Sequence, residues 1–214
     1  MAKTKPFDLY TARYEQWFEL NKYVYESEIS AIQSLLPASG EGLEIGVGSG
    51  LFADPLGVRH GIDPSERMRE LARKRGIEAV DGVAESLPYD DARFDFALMV
   101  TTICFLDDTE AALREAYRVL KPGGCLIIGF VDRESALGKQ YVKHREESLF
   151  YMIATFYSVD EVVSFLEKTG FGDCTFKQTI FHSLREIRAV EPVKEGYGEG
   201  SFVVVSARKK LMKD

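Results

Sequence analysis

The sequence predicts an α/β fold, a doubly wound and mostly parallel sheet, and three observations carry that prediction. Short apolar runs alternate with amphipathic helical stretches along the 214 residues, the pattern of strands joined by crossover helices. Phe94-Asp-Phe-Ala-Leu-Met-Val100 is a continuous rather than an alternating apolar run, as expected of a parallel strand covered on both faces. Leu43-Glu-Ile-Gly-Val-Gly-Ser-Gly50 is a short apolar run that stops in glycines at 46, 48 and 50. A strand there turns sharply and brings its backbone close to a ligand, because no Cβ blocks positive φ.

The elements follow in order. Tyr14 to Leu36 is an aromatic-rich helical region that stops at Pro37 and Gly40. Only Leu51 to Gly57, with Pro55 inside, separates the glycine turn from the second strand, so the first crossover helix has about two turns at most. His60-Gly-Ile-Asp63 ends the second strand. Asp63-Pro64-Ser65-Glu66 then reads as a helix start, with Asp63 as N-cap, Pro64 at N1 and Glu66 at N3; that helix covers 64–75 and stops at Gly76. A helix over 109–120, capped by Asp107 or Asp108, runs into Leu120-Lys-Pro-Gly-Gly124 and the strand Cys125–Phe130. Ser158-Val-Asp-Glu161 is a capping box for a helix reaching Lys168, with Gly170 beyond it. Strands near 174–181 and 201–207 close the sheet.

Bulk properties narrow the function classes. A chain of this length with 45% hydrophobic residues forms one domain with a full core. A net charge of -7 argues against nucleic acid as substrate, since a phosphate backbone needs a basic surface, and it suggests a small or neutral to cationic ligand. The basic clusters at 67–75 and 208–213 read as a solvated helix face and a C-terminal tail. Cys104, Cys125 and Cys174 are odd in number and widely spaced, which suggests neither a disulfide framework nor a metal site. The sequence has no signal peptide and no run of 18 apolar residues, so a cytoplasmic protein without membrane contact is expected. Oligomeric state is not legible.

The glycine spacing separates two kinds of nucleotide cradle. A dinucleotide fingerprint wants G-x-G-x-x-G, whereas Leu51 stands where its third glycine would fall. The run Glu44-Ile-Gly-Val-Gly-Ser-Gly50 instead resembles motif I of the class I S-adenosylmethionine-dependent methyltransferases. The resemblance implies a Rossmann-like, seven-stranded sheet with an antiparallel last strand. It also implies S-adenosyl-L-methionine as cofactor, with Glu44 delivered by the first strand and Gly46, Val47, Gly48 and Gly50 lying under the ligand. Asp63 falls where the family's acidic residue grips the two ribose hydroxyls, a role suited to a carboxylate accepting from a vicinal diol. Asp81-Gly-Val-Ala-Glu-Ser-Leu-Pro-Tyr89 is similar to the family's stretch along the adenine, although Val83 occupies the place of a frequent aspartate. Backbone at Val83 and Ala84 then lines the ring, and Glu85 is either the nearest carboxylate or a solvated loop charge. Val100, Thr101 and Thr102 fall where the family touches the methionine part of the cofactor; alternatively the threonines are simply good β-formers. The Leu120–Phe130 turn and strand match the family's structural fifth-strand unit.

The same resemblance divides the chain into a helical lid (1–39), a cofactor-binding core (40–130), a lid and acceptor insertion (131–157), and a C-terminal helix with strands (158–214). Tyr10, Tyr14, Trp17 and Phe18 would contribute from the first part; Tyr141, Arg145, Phe150, Tyr151, Phe156 and Tyr157 would contribute from the third. Tyr14 and Phe18 share a helical face, as lid or as core packing. The loop 182–200, with Glu195–Gly200, borders the pocket or is a mobile surface loop. The implied activity is methyl transfer to a small-molecule acceptor by in-line displacement, in which the protein aligns a nucleophile and excludes water. Catalytic residues are not assigned: His144 and His182 are candidate bases for a hydroxyl acceptor, with His60 a more remote one. Two other readings stay open. One is a non-catalytic protein that binds the cofactor or its demethylated product, S-adenosylhomocysteine; the other is a nicotinamide-dependent oxidoreductase on the related sheet.

Overall fold

Strand order and strand direction together fix where a ligand can lie. The computed structural model describes residues 3–210. Among them are β1 (Gly42–Ile45), β2 (His60–Asp63), β3 (Glu78–Asp81), β4 (Phe94–Val100), β5 (Leu120–Val131), β6 (Phe171–Thr179), β7 (Lys194–Glu195) and β8 (Phe202–Lys209). They form one sheet in the order β3-β2-β1-β4-β5-β8-β6-β7. β1 to β5 pair in parallel, and β8 inserts antiparallel between β5 and β6. The antiparallel last strand is thus as expected, and the two-residue β7 adds an eighth strand at the edge.

Both faces of the sheet are buried. Ala97 and Met99 of β4 belong to a core completed by α5 (Thr109–Val119) and α7 (Val159–Lys168), while Phe96, Leu98 and Val100 point to the opposite core. That second core contains Phe18 of α2 (Thr11–Leu20), Val24, Ala31 and Ile32 of α3 (Lys22–Gln33), and Ala72 of α4 (Glu66–Lys74). Successive side chains of a strand alternate in direction, so a strand with helices on both sides is apolar on both faces; the exception in β4 is Asp95 near its start, which pairs with Lys121.

Several boundaries differ from expectation for local reasons. The helical region before β1 is three pieces, α1 (Lys5–Leu9), α2 and α3, and α2 ends where Asn21 turns its side-chain amide onto the Trp17 carbonyl at 2.8 Å. The Leu51–Gly57 crossover is a series of turns, closed by the Asp54 N–H on the Gly50 carbonyl at 3.1 Å. Ser65, not Asp63, caps α4: its hydroxyl accepts from the Met68 N–H at 3.2 Å. Asp63 is already engaged, with one oxygen on the Ser65 N–H at 2.8 Å and the other on the Gly48 N–H at 2.9 Å. Asp108 caps α5 through the Ala111 N–H at 2.9 Å. The capping box of α7 forms as expected, with Ser158 and Glu161 bonded reciprocally. The insertion folds as α6 (Ala136–Lys143) and two single 3-10 turns, Arg145–Glu147 and Tyr151–Ile153. Among the described residues no helix is long and apolar enough to cross a membrane.

Candidate functional site

The strand order reverses between β1 and β4, and the crevice beyond the C-terminal ends of these strands is where open α/β sheets receive ligands. Two adjoining cavities open there, of about 350 Å³ and about 310 Å³, both in the size range of small-ligand sites.

The first cavity is a cleft floored by the glycine loop. The Gly46 and Val47 N–H groups both donate to the Ile62 carbonyl, at 2.8 and 2.9 Å, which stitches the loop to β2. Gly48 has φ +53°, and a Cβ built on it would point into the cleft with only the Tyr14 hydroxyl near, at 3.5 Å. Gly46 has φ +73°, and a Cβ there would collide with Thr102. A left-handed backbone and open space at Gly48 make a cradle that any side chain would fill.

Asp63, Val83, Ala84 and Glu85 line this cleft, and so do Thr101, Thr102 and Tyr14. Each Asp63 oxygen accepts one backbone N–H and retains a further lone pair. Burial pushes the Asp63 carboxyl up to about 6, against the lowering effect of the Ser65 and Gly48 N–H groups and of Arg69. Glu85 is tied down, its carboxylate accepting the Asp107 N–H at 2.9 Å and the Asp108 N–H at 3.2 Å. Thr101 holds φ +50° at the end of β4, a conformation rare for a β-branched residue. It lines both cavities, as do Tyr14, Phe7 and Phe105.

Other residues expected in the cleft lie outside it. Glu44 is 1% exposed beneath the loop, where its carboxylate takes the Ala53 N–H and burial holds its pKa well above the usual range. Val47 packs over Gly61, Gly50 faces Ala72 and Ile77, and Val100 belongs to the core. The glycine at 50 is therefore needed for packing against α4. His144 and His182 line neither cavity: both are exposed and pair with Glu147 and Glu191. His60 sits between Glu41 and Glu78 at the opposite end of β2. Among the described residues no group of His, Cys, Asp or Glu is arranged to hold a metal ion.

The second cavity is walled by aromatic rings from both predicted lid segments. Tyr14, Trp17 and Phe18 come from α2; Tyr141, Phe150, Tyr151, Phe156 and Tyr157 come from the insertion. Phe7 meets Phe105 edge-on at 5.1 Å, and Tyr141 lies against Tyr151 at 4.5 Å between ring centroids. Tyr10 and Arg145 are exposed and take no part. Leu184 is the contribution of the 182–200 loop. Arg75 fastens α2 to this end of the sheet, donating to the Ser49 carbonyl at 2.8 Å and pairing with Glu15.

Sequence reasoning missed Phe7, Phe105 and above all Glu28. Glu28 lies on the face of α3 that also buries Val24, Ser27, Ala31 and Ile32, so a carboxylate on an apolar stripe was the available signal. It is 6% exposed, and burial alone pushes its carboxyl up to about 8. Because the folded state then holds this proton more tightly than the unfolded chain does, Glu28 favours folding at low pH. That contribution is lost as pH rises toward 8, by on the order of 1 kcal/mol per pH unit. Glu28→Gln should therefore be more resistant to urea than the wild type at pH 9 and lose that advantage at pH 5. Equal pH dependence of the two unfolding midpoints would contradict the assignment.

Known proteins resemble this chain in family, sequence and structure. A methyltransferase-domain family model matches residues 43–128. The chain is 53% identical to a crystal structure from Thermotoga maritima described as an S-adenosylmethionine-dependent methyltransferase and possible histamine N-methyltransferase. The match covers 97% of this chain and 100% of that one, with a TM-score of 0.95. It is also 45% identical to an uncharacterised protein of Methanocaldococcus jannaschii, over 95% of this chain and 98% of the other. A demethylmenaquinone methyltransferase of Tropheryma whipplei is 30% identical over 72% of this chain and 75% of its own.

Proposed function

The chain belongs to the class I S-adenosylmethionine-dependent methyltransferases, and from that premise we propose that its acceptor is a small molecule held in the aromatic cavity. The observation that carries the proposal is the junction: Phe7, Tyr14, Thr101 and Phe105 line both the glycine-floored cleft and the aromatic cavity. A ligand in one therefore abuts a ligand in the other. The relatives described as acting on demethylmenaquinone and, possibly, on histamine support an acceptor of small size. A net charge of -7 weighs against a nucleic-acid acceptor.

The bound cofactor supplies an electrophilic sulfonium methyl, and the chain's own residues do the rest. Gly48 leaves room for the ligand to approach backbone, Gly46 lets Thr102 pack against the loop, and Asp63 offers its free lone pairs to the ribose diol. Backbone at Val83 and Ala84 borders the base. Tyr14 and Thr101 flank the place where methyl and acceptor meet. Segments 1–39 and 131–157 act as the lid, whose rings exclude water from that junction. No nucleophilic side chain is required, because the acceptor itself attacks; positioning within about 3 Å in line with the departing sulfur is the main contribution.

The test is turnover with methyl-labelled cofactor and a fractionated cell extract. Label should pass to the small-molecule fraction and to neither protein nor nucleic acid. Tight binding of S-adenosylmethionine with no label transferred to any fraction would instead support the non-catalytic reading.

A further inference from the structure

On the methyl-transfer reading, the aromatic cavity has to select its acceptor by chemistry as well as by size. Glu28 lines that cavity, more than nine-tenths buried, and among the described residues no hydrogen bond or ion pair reaches its carboxylate. A buried carboxyl without a partner is costly, and a cationic ligand would relieve the cost. The same cavity is lined by the rings of Trp17, Tyr141, Tyr151 and Phe156, and ring faces attract an ammonium group as well. We propose that the acceptor is an amine on a small apolar or aromatic body, and that Glu28 receives its ammonium group in the aromatic cavity.

The chemistry balances. An ammonium group has no lone pair with which to attack, so one N–H proton passes to the Glu28 carboxylate. The freed lone pair forms the new N–C bond to the methyl group as the S–C bond breaks. That bond's electron pair stays on sulfur, the thioether leaves neutral, and the positive charge ends on the methylated nitrogen. Glu28 thus holds the substrate proton at the carboxyl, and solvent collects it when the product departs. No histidine is needed, in keeping with the remote positions of His144 and His182.

The other ionisable groups of the wall leave Glu28 as the group whose state changes on binding. Burial pushes Tyr141 and Cys104 up to about 12 and raises Tyr14 and Tyr151 as well, so these four stay neutral near pH 7. A charge on Glu28 adds to the upward push on all three tyrosines. Tyr157 completes the phenols of the wall, while Arg13 and Glu147 stand at its solvent-exposed rim. With its carboxyl at about 8 in the free protein, Glu28 is mostly protonated at pH 7. Admission of an ammonium group must then expel most of one proton.

The experiment is calorimetric titration of the protein saturated with S-adenosylhomocysteine. The probes are 2-phenylethylamine and cyclohexylmethylamine, each against the corresponding alcohol, at pH 7 in two buffers of different ionisation heat. At least one amine should bind tenfold or more tighter than its alcohol and release most of one proton. Glu28→Gln should lose both the preference and the proton release while keeping its affinity for S-adenosylhomocysteine. Alcohols binding as well as the amines, neither amine binding, amine binding without proton release, or a preserved preference in Glu28→Gln would each overturn the proposal. If Glu28→Gln does not fold, proton release by the wild type alone decides. Failure to bind S-adenosylhomocysteine at all would be a different result, overturning the functional reading beneath the proposal.

Discussion

Gly48→Val should weaken cofactor binding by at least about 100-fold, roughly 3 kcal/mol. Two effects add. Gly48 has φ +53°, and a β-branched residue in that left-handed region costs on the order of 1–3 kcal/mol. The new side chain also projects into the cleft, toward the Tyr14 hydroxyl 3.5 Å from the would-be Cβ, and takes the space of the ligand. The collision is with the ligand and not with the core, so the variant should keep a folded circular-dichroism spectrum while titration with S-adenosylhomocysteine gives no heat. A folded variant that binds normally would mean that the cradle lies elsewhere. Substitution at Gly50 is the instructive contrast: its Cβ would run into Ile77 and the α4 backbone at Ala72, so damage there should appear in stability first.

Asp63→Ala should weaken S-adenosylmethionine binding by roughly 1–3 kcal/mol, the loss expected for charge-assisted hydrogen bonds from a diol. The carboxylate form is the one that would accept those bonds, and burial raises the carboxyl to about 6 in the free protein. Wild-type affinity should accordingly be constant above pH 7 and fall, by up to about tenfold per pH unit, as pH drops through 6. In Asp63→Ala that pH dependence disappears. Asp63 also ties the Gly48 N–H and the Ser65 N–H together, so part of the loss comes from loosening of the glycine loop. The pH profile separates the two contributions, since a purely structural role leaves the ligand's affinity insensitive to this titration once the protein is folded. An unchanged affinity in Asp63→Ala would reduce Asp63 to a turn-forming residue.

What the sequence made legible was local. Gly46, Gly48 and Asp63 announce themselves because their backbone conformations and strand-end positions follow from a few neighbouring residues. The α7 capping box is legible for the same reason. The cap of α4 was not, because Asp63 and Ser65 are both competent and only the tertiary contact between Asp63 and the Gly48 N–H takes Asp63 away from the helix. The side chains of Val47, expected under the ligand, and of Val100, expected at its methionine part, belong to the core: Val47 turns back over Gly61 of β2, and in β4 a continuously apolar strand gives no periodic clue to which side chain faces the cleft. Glu28 and Phe105 lie on elements that reach the site only through packing of α3 and the 3-10 turn after β4 (Ile103–Phe105). His144 and His182 stand out by residue type alone; both are exposed beside acidic partners and line neither cavity.

The central claim is that the cleft over Gly48 and beside Asp63 is the cofactor site and that it discriminates against dinucleotides. Isothermal titration of the purified protein with S-adenosylmethionine, S-adenosylhomocysteine and NADH tests it most directly. Micromolar binding of the first two with no heat from NADH is the predicted result, whereas binding of NADH, or silence from both sulfur ligands, would contradict it.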